Sequence, residues 1–229
     1  MKNFIKLRKK VGKIVCKYKM IQEDDKIVVG MSGGKDSYAL FDSLCELKKR
    51  APISFDILPV VVDGGFGTDY KEMFSYVKDK GYICDLIKIE VNKNLKEEKS
   101  PCMICSRLRR GLLYKYILKK KATSLALGHH IDDALQTFLL NMFYAGKIFP
   151  MRPIYKSKED NIKVIRPLFD IPENLIIDCM KNKEWPIVKQ ICPLKPSKSK
   201  REKLAKIIKE LSEDEPWFYP SVLSSLSEI

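Results

Sequence analysis

Residues 27–37 read Ile27-Val28-Val29-Gly30-Met31-Ser32-Gly33-Gly34-Lys35-Asp36-Ser37, an apolar run that passes straight into a polar, glycine-rich turn. The apolar run predicts a strand, and the residues after the turn predict a helix. Two adjacent glycines let backbone N–H groups crowd toward an anion, and a following helix offers its positive end. Lys35 adds a point charge, Ser32 and Ser37 add hydroxyl donors, and Asp36 is a carboxylate able to hold a magnesium ion. The stretch Met31–Ser37 is thus suited to a pyrophosphate. It is not a Walker A loop, because Asp36 follows Lys35 where that pattern needs Ser or Thr. The ordinary alternative is a glycine turn that joins a strand to a helix and binds nothing.

Outward from this loop the chain alternates strands and helices. Strands are predicted at Ile27–Met31, Ile53–Asp63, Ile83–Val91, Thr123–Leu127 and Val164–Phe169. Helices are predicted at Asp36–Lys49, Asp69–Lys80, Arg107–Lys121, Asp132–Tyr144, Pro172–Lys183 and Lys200–Leu211, with 156–161 a polar hairpin or loop. This alternation predicts an α/β fold: a doubly wound, mostly parallel sheet with flanking helices and a short helical C-terminal extension. In such a sheet a ligand sits beyond the C-terminal strand ends. Ser32–Ser37, Asp63–Gly67 and Gly128–Asp133 all fall at such ends and are expected to face one cleft. The expected organisation is a basic amphipathic helix at 1–25, a nucleotide-binding domain at 26–170 and a helical segment at 171–229.

The 229 residues carry a formal charge of +14, which points to a polyanionic partner, nucleic acid ahead of acidic lipid. Eight Lys or Arg and no acidic residue lie within positions 1–19, between Phe4, Leu7, Val11, Ile14, Val15 and Tyr18 at helical spacing. At 45% hydrophobic and 10% aromatic residues, a full core is available and global disorder is excluded. No apolar run reaches membrane-spanning length and no signal core follows the basic start, so a cytoplasmic protein is expected. Seven cysteines are then expected as thiols or ligands.

Two further motifs carry chemistry. Cys102-Met103-Ile104-Cys105 opens a predicted helix and is followed by Arg107, Arg109 and Arg110. Both sulfurs point to one place, and the arginines favour thiolate. The motif alone fits a metal or cluster half-site, a redox dithiol or structural zinc. A cluster needs a further cysteine, and Cys192 is the candidate. Cys16, Cys45, Cys84 and Cys179 read as small buried hydrophobes. The other motif, Gly128-His129-His130-Ile131-Asp132-Asp133, holds both histidines beside two carboxylates at a helix start. Asp132 or Asp133 is an ordinary N-terminal cap.

Taken in order, Ser32–Ser37, Cys102–Gly111, Gly128–Gly146 and Ile165-Arg166-Pro167-Leu168 resemble the TtcA-like tRNA-cytidine 2-sulfurtransferases of the PP-loop ATP pyrophosphatase superfamily. The resemblance covers about residues 1–215 and is loosest around Cys192. It implies an adenine nucleotide alpha hydrolase-like fold and an enzyme that adenylates the C2 carbonyl oxygen of a tRNA pyrimidine, cytidine 32 first, and replaces that oxygen with sulfur. AMP and pyrophosphate are released. It also implies ATP and Mg²⁺ over Met31–Ser37, with Lys35 and Asp36 catalytic. Cys102, Cys105 and Cys192 would hold a 4Fe-4S cluster with one iron left open for the sulfur donor. Asp63 and Gly128 would line the nucleotide pocket, and His129 or Asp133 would position nucleotide or base. No sulfur-supplying module is evident in the chain, so sulfur is expected from outside, as sulfide or through a cysteine desulfurase system. A homodimer and tRNA contacts through the basic residues of Lys195–Lys209 are expected. The same chemistry on a tRNA uridine or a small molecule, and a zinc-stabilised RNA-binding protein with an inactive loop, are the alternatives.

Overall fold

The computed structural model describes residues 2–89, 101–157, 161–189, 191 and 200–228. Along them run α1 (Lys2–Lys17), β1 (Asp25–Gly30), α2 (Lys35–Lys48), β2 (Phe55–Asp63), α3 (Lys71–Asp79) and β3 (Asp85–Lys88). After these come α4 (Pro101–Lys120), β4 (Ser124–Ala126), α5 (Ile131–Ala145), β5 (Ile154–Lys156) and β6 (Lys163–Ile165). The chain closes with α6 (Glu173–Met180), α7 (Lys200–Ser212) and α8 (Phe218–Ser227).

The strands form one sheet in the order β3-β2-β1-β4-β6-β5. All neighbours are parallel except β5, which lies antiparallel to β6. The chain therefore steps outward from β1 to β3, then returns to the other side of β1 to place β4. This reversal opens a crevice between the ends of β1 and β4. Ile27, Val28, Val29, Leu125 and Ala126 are all essentially inaccessible, as expected for central strands covered on both faces. One face is covered by α1, α2 and α6 through Leu7, Val11, Phe41, Leu44 and Ile176. On the other, α4 packs Leu113, Tyr114 and Ile117 against Val28, Val60 and Val164. Among the described residues no helix is long and apolar enough to cross a membrane.

The predicted doubly wound α/β fold is observed, and its differences from expectation have local causes. The strand expected over 164–169 stops at Ile165: the Arg166 N–H still meets the Pro153 carbonyl in register at 2.9 Å, but Pro167 has no N–H to give and the Phe169 N–H closes a turn on the Arg166 carbonyl at 3.0 Å. Ile154–Lys156 forms an unexpected edge strand, and the Ser157 N–H to Ile162 carbonyl bond closes the hairpin at 2.9 Å. Helix α4 begins at Pro101, ahead of the expected Arg107. Helix α8 falls within the helical segment expected at 171–229, although no helix is predicted at its residues. Cys16 is exposed, contrary to the buried reading, since the stripe of Leu7, Val11, Ile14 and Val15 faces the other way. Cys45 and Cys179 are buried as expected, and Cys84 is half-buried, its thiol pushed up to about 12 chiefly by burial.

A carboxylate inside α2 ties the fold to the glycine loop. Asp42 is 3% exposed and accepts from Tyr76 Oη at 2.8 Å and from Trp185 Nε1 at 3.0 Å, with Lys183 Nζ at 3.5 Å. Trp185 stacks on Tyr38, whose hydroxyl donates to the Pro186 carbonyl at 2.6 Å. The segment after Trp185 is thereby laid over the glycine loop, where the Val188 N–H meets the Gly33 carbonyl at 2.9 Å. Replacing Asp42 with Ala leaves a buried indole N–H, a half-buried hydroxyl and a cation without their acceptor. We expect D42A to lose about 2–4 kcal/mol in urea unfolding. A loss below about 1 kcal/mol would show that this knot is not structural.

Candidate nucleotide-binding active site

The loop Ser32–Ser37 leaves β1 and opens α2, with Gly34 as N-cap. Gly33 adopts φ +79°, and a Cβ there would lie 2.5 Å from the Cβ of Val188. Only glycine fits both the left-handed backbone and the overlying segment. Ser32 Oγ accepts from the Gly34 N–H at 3.3 Å, and Ser37 Oγ donates to the Gly34 carbonyl at 2.8 Å. Across the crevice, Gly128 follows β4. A Cβ at Gly128 would stand 2.9 Å from the Asp36 carbonyl oxygen, so the two strand ends touch backbone to backbone.

Around this contact lies a cluster of opposite charges. Lys35 Nζ sits 2.7 Å from Glu173 Oε1 and 3.1 Å from Asp36 Oδ1. His130 Nε2 is 3.8 Å from Asp36 Oδ1 and 3.5 Å from Asp133 Oδ2, while its Nδ1 is 3.3 Å from Asp132 Oδ2. Arg201 on α7 reaches Asp133 Oδ1 at 3.6 Å. Burial holds the Asp36 carboxyl above the usual range despite Lys35 and His130, and the Asp133 charge pushes the same way. Burial alone would lower His130, but Asp132, Asp133 and Asp36 outweigh it and raise the imidazole above its ordinary value. Lys35 is likewise raised, its two carboxylates overcoming burial.

Asp36 Oδ1 is buried and accepts no hydrogen bond. A buried carboxylate oxygen beside a second carboxylate, at a helix N-terminus reached by glycine backbones, fits a magnesium-bound polyphosphate. A divalent ion there would relieve the carboxylate repulsion, and the glycines leave room for phosphate oxygens. Asp63 stands apart from this cluster. It braces its own turn, accepting from the Gly65 N–H at 3.2 Å and from Tyr70 Oη at 3.5 Å. His129 faces Arg166, whose Nε donates to His129 Nδ1 at 3.1 Å. Burial first, then the Arg166 charge, lower His129 to about 4, so it is a neutral imidazole at pH 7. Met31 is buried, its N–H bonded to the Val60 carbonyl at 2.8 Å.

The cap readings at the second motif divide between its two aspartates. Asp133 accepts from the His130 N–H at 3.2 Å and caps α5. Asp132 instead caps a different helix, accepting from the Glu173 N–H at 2.8 Å, and also accepts from Tyr219 Oη at 2.6 Å. His130, Glu173, Arg201 and Tyr219 were not singled out from sequence. For His130 the signal was present in its position between Asp132 and the strand end; the other three arrive only through tertiary packing.

Cys105 is a half-buried free thiol on α4, and Cys102 lies one turn earlier on that helix. The Cys102 side chain and the whole of Cys192 lie outside the described residues. Two observations bear on their neighbourhood. Arg109, one turn beyond Cys105, comes within 3.2 Å of a Cβ built at Gly64, and its Nε is buried without a hydrogen bond. The Ile191 N–H reaches Thr68 Oγ1 at 3.4 Å. The loop after β2 therefore meets both α4 and the residue preceding Cys192.

Fold and site together define a PP-loop nucleotide-binding protein. A family model described as a PP-loop domain matches residues 5–190. A tRNA-cytidine(32) 2-sulfurtransferase from Geotalea uraniireducens is 34% identical over 99% of this chain and 92% of its own length. One from Pelobacter propionicus is 38% identical over 99% of this chain and 86% of its own. The U34-tRNA thiolase NcsA from Methanococcus maripaludis, solved with its 4Fe-4S cluster, superimposes with a TM-score of 0.81 at 24% identity, over 98% of this chain and 79% of that one. The chain belongs to the PP-loop family and, within it, to the tRNA-cytidine(32) 2-sulfurtransferases.

Two outcomes follow from this geometry. Gly128→Ala should weaken ATP binding at least tenfold by calorimetry, because the added methyl must displace the Asp36 backbone. A second expectation concerns pH. His130 is raised in the folded state, so its stabilisation is full below the ordinary imidazole value and fades as pH rises through the folded value. Chemical denaturation from pH 6 to 9 should show that loss in the ligand-free protein, and H130Q should flatten it.

Proposed function

We propose that this chain is an ATP-dependent tRNA 2-sulfurtransferase that acts on cytidine 32. The observation that carries the reading is the Lys35–Asp36–His130–Asp133 cluster at the glycine loop, in a chain whose curated relatives bear that activity over nearly their whole length. The C2 carbonyl oxygen of the pyrimidine attacks the α-phosphate of ATP, and pyrophosphate leaves. Backbone N–H groups at the start of α2 and the Lys35 ammonium stabilise the charge that grows on the leaving group. Asp36 would hold Mg²⁺, whose charge would offset the repulsion between Asp36 and Asp133. His129, neutral and fixed by Arg166, positions the base or nucleotide as a hydrogen-bond partner. Asp63 and Gly128 shape the nucleotide pocket. A sulfur nucleophile then adds at C2, and the activated oxygen departs with AMP.

Cys102, Cys105 and Cys192 would hold a 4Fe-4S cluster, whose chemistry when bound is delivery of the incoming sulfur. The free Cys105 thiol, the arginine beside it and the shared contact of α4 and Ile191 with the β2 loop support this donor set. The sulfur comes from outside the chain, as sulfide or from a cysteine desulfurase system. The protein works as a cytoplasmic homodimer.

Nucleoside mass spectrometry of tRNA from cells with and without the gene tests the substrate. Loss of 2-thiocytidine alone is expected. Loss of a thiouridine would transfer the chemistry to another base, and unchanged thionucleosides would overturn the reading. Cys192→Ser should abolish thiolation while ATP affinity stays within about twofold. Surviving activity would remove Cys192 from the ligand set.

A further inference from the structure

The end of α5 presents an apolar ridge that no packing among the described residues covers. Every residue from Met142 to Phe149 is exposed, including Phe143 at 59%, Tyr144 at 48% and Phe149 at 61%. Exposed aromatics of this density normally mark an interaction surface. The ridge is also held in shape. Gly146 ends the helix in the left-handed conformation, φ +61°, with its N–H bonded to the Asn141 carbonyl. Asn141 Nδ2 then donates to the Phe149 carbonyl at 2.8 Å and folds the following turn back against the helix end. A backbone fixed in this way has little freedom left to lose on binding.

We propose that this ridge is a base-stacking platform for unpaired nucleotides of an RNA loop, adjoining the catalytic crevice. The proposal rests on the reading of the chain as a tRNA-modifying enzyme. Charge selects RNA over a second copy of the chain. Lys147 lies within the ridge, and Lys200 Nζ sits 4.0 Å from the Tyr144 ring centroid. Arg201, Lys203 and Lys206 continue along α7, which packs on α5. A two-fold contact through this face would gather two copies of each of these cations into one interface. A phosphate backbone instead complements them, while the rings receive the bases. The location is equally specific. Helix α5 begins at the catalytic cluster and ends at the ridge, so Asp133 and Phe143, ten residues apart, are separated by about 15 Å along the axis. That is the span of two or three nucleotides of extended strand, at roughly 6 Å per step. A pyrimidine placed at Asp36 and His130 therefore leaves its loop neighbours over the rings.

Stacking and phosphate contacts separate by salt. A variant with Phe143, Tyr144 and Phe149 all changed to Ala should bind substrate tRNA at least tenfold more weakly, by the same factor at every salt concentration. K147A combined with K200A should instead lower the slope of log K against log salt by about one to two. Fluorescence anisotropy with labelled tRNA and with the isolated anticodon stem-loop reads both effects. Unchanged ATP affinity and melting temperature identify intact folding, which these exposed substitutions should preserve. Wild-type tRNA affinity in the triple variant overturns the ridge and leaves the enzymatic reading standing. Wild-type tRNA affinity with a halved mass in sedimentation shows the occupant to be a second copy. If the unaltered protein binds no tRNA, both readings fall.

Discussion

Asp42 is placed where a carboxylate is expensive, in the middle of α2 and out of reach of water, and three donors from distant parts of the chain offset that cost. Tyr76 arrives from α3, and Lys183 and Trp185 from the turn after α6. By holding the donors on both sides of Glu184, the carboxylate fixes where the segment following Trp185 can run. That segment crosses the glycine loop and gives its Val188 N–H to Gly33. The loop that faces the ligand is thus clamped from behind by α2 and from above by a strap that α2 itself secures. The anion-binding conformation is imposed before any ligand enters, which lowers the ordering cost of binding.

The charges in the crevice have a related logic. Asp36, Asp132, Asp133 and Glu173 converge there, against Lys35, His130 and Arg201. So many carboxylates would repel a bare triphosphate. A magnesium-bound nucleotide alters the balance, since the ion neutralises phosphate and carboxylate together. Burial and Asp133 hold Asp36 above the normal carboxylate range, so a divalent ion at this position would remove an existing strain. Glu173 keeps Lys35 charged and oriented, at 2.7 Å, from an accessible position where phosphate oxygens can compete for the ammonium.

Much of this was legible in the sequence, and the rest fails for identifiable reasons. The loop Ser32–Ser37, the strand that feeds it and the return to Gly128 are local patterns, and local patterns survive folding. Cys16 was readable too: the helical stripe that buries Ile14 and Val15 excludes it, and periodicity outweighs the general tendency of cysteine to be buried. Helix α8 was not readable, since its Phe218-Tyr219-Pro220 start and four serines give weak helical signals. The edge strand Ile154–Lys156 is three residues long and owes its form to β6. Asp132 looked like a cap for its own helix, but it caps α6 across the crevice, a pairing that only tertiary structure reveals.

That last substitution of partners explains how the C-terminal helix comes to matter. Tyr219 on α8 donates to Asp132, Asp132 lies against His130 Nδ1, and the other face of the imidazole looks toward Asp36 and Asp133. Each link is buried or half-buried, so solvent does not loosen it. Asp132 is held below the usual carboxylate range by His130, Tyr219 and the Glu173 N–H, which together overcome its burial, and it therefore stays charged to orient the imidazole. The recognisable domain ends near residue 190, yet one side of its charged cluster is braced by a helix well beyond that point. The same helix packs on α5, the element that runs from the cluster to the aromatic ridge. One helix pair thus both braces the charged cluster and carries the aromatic ridge.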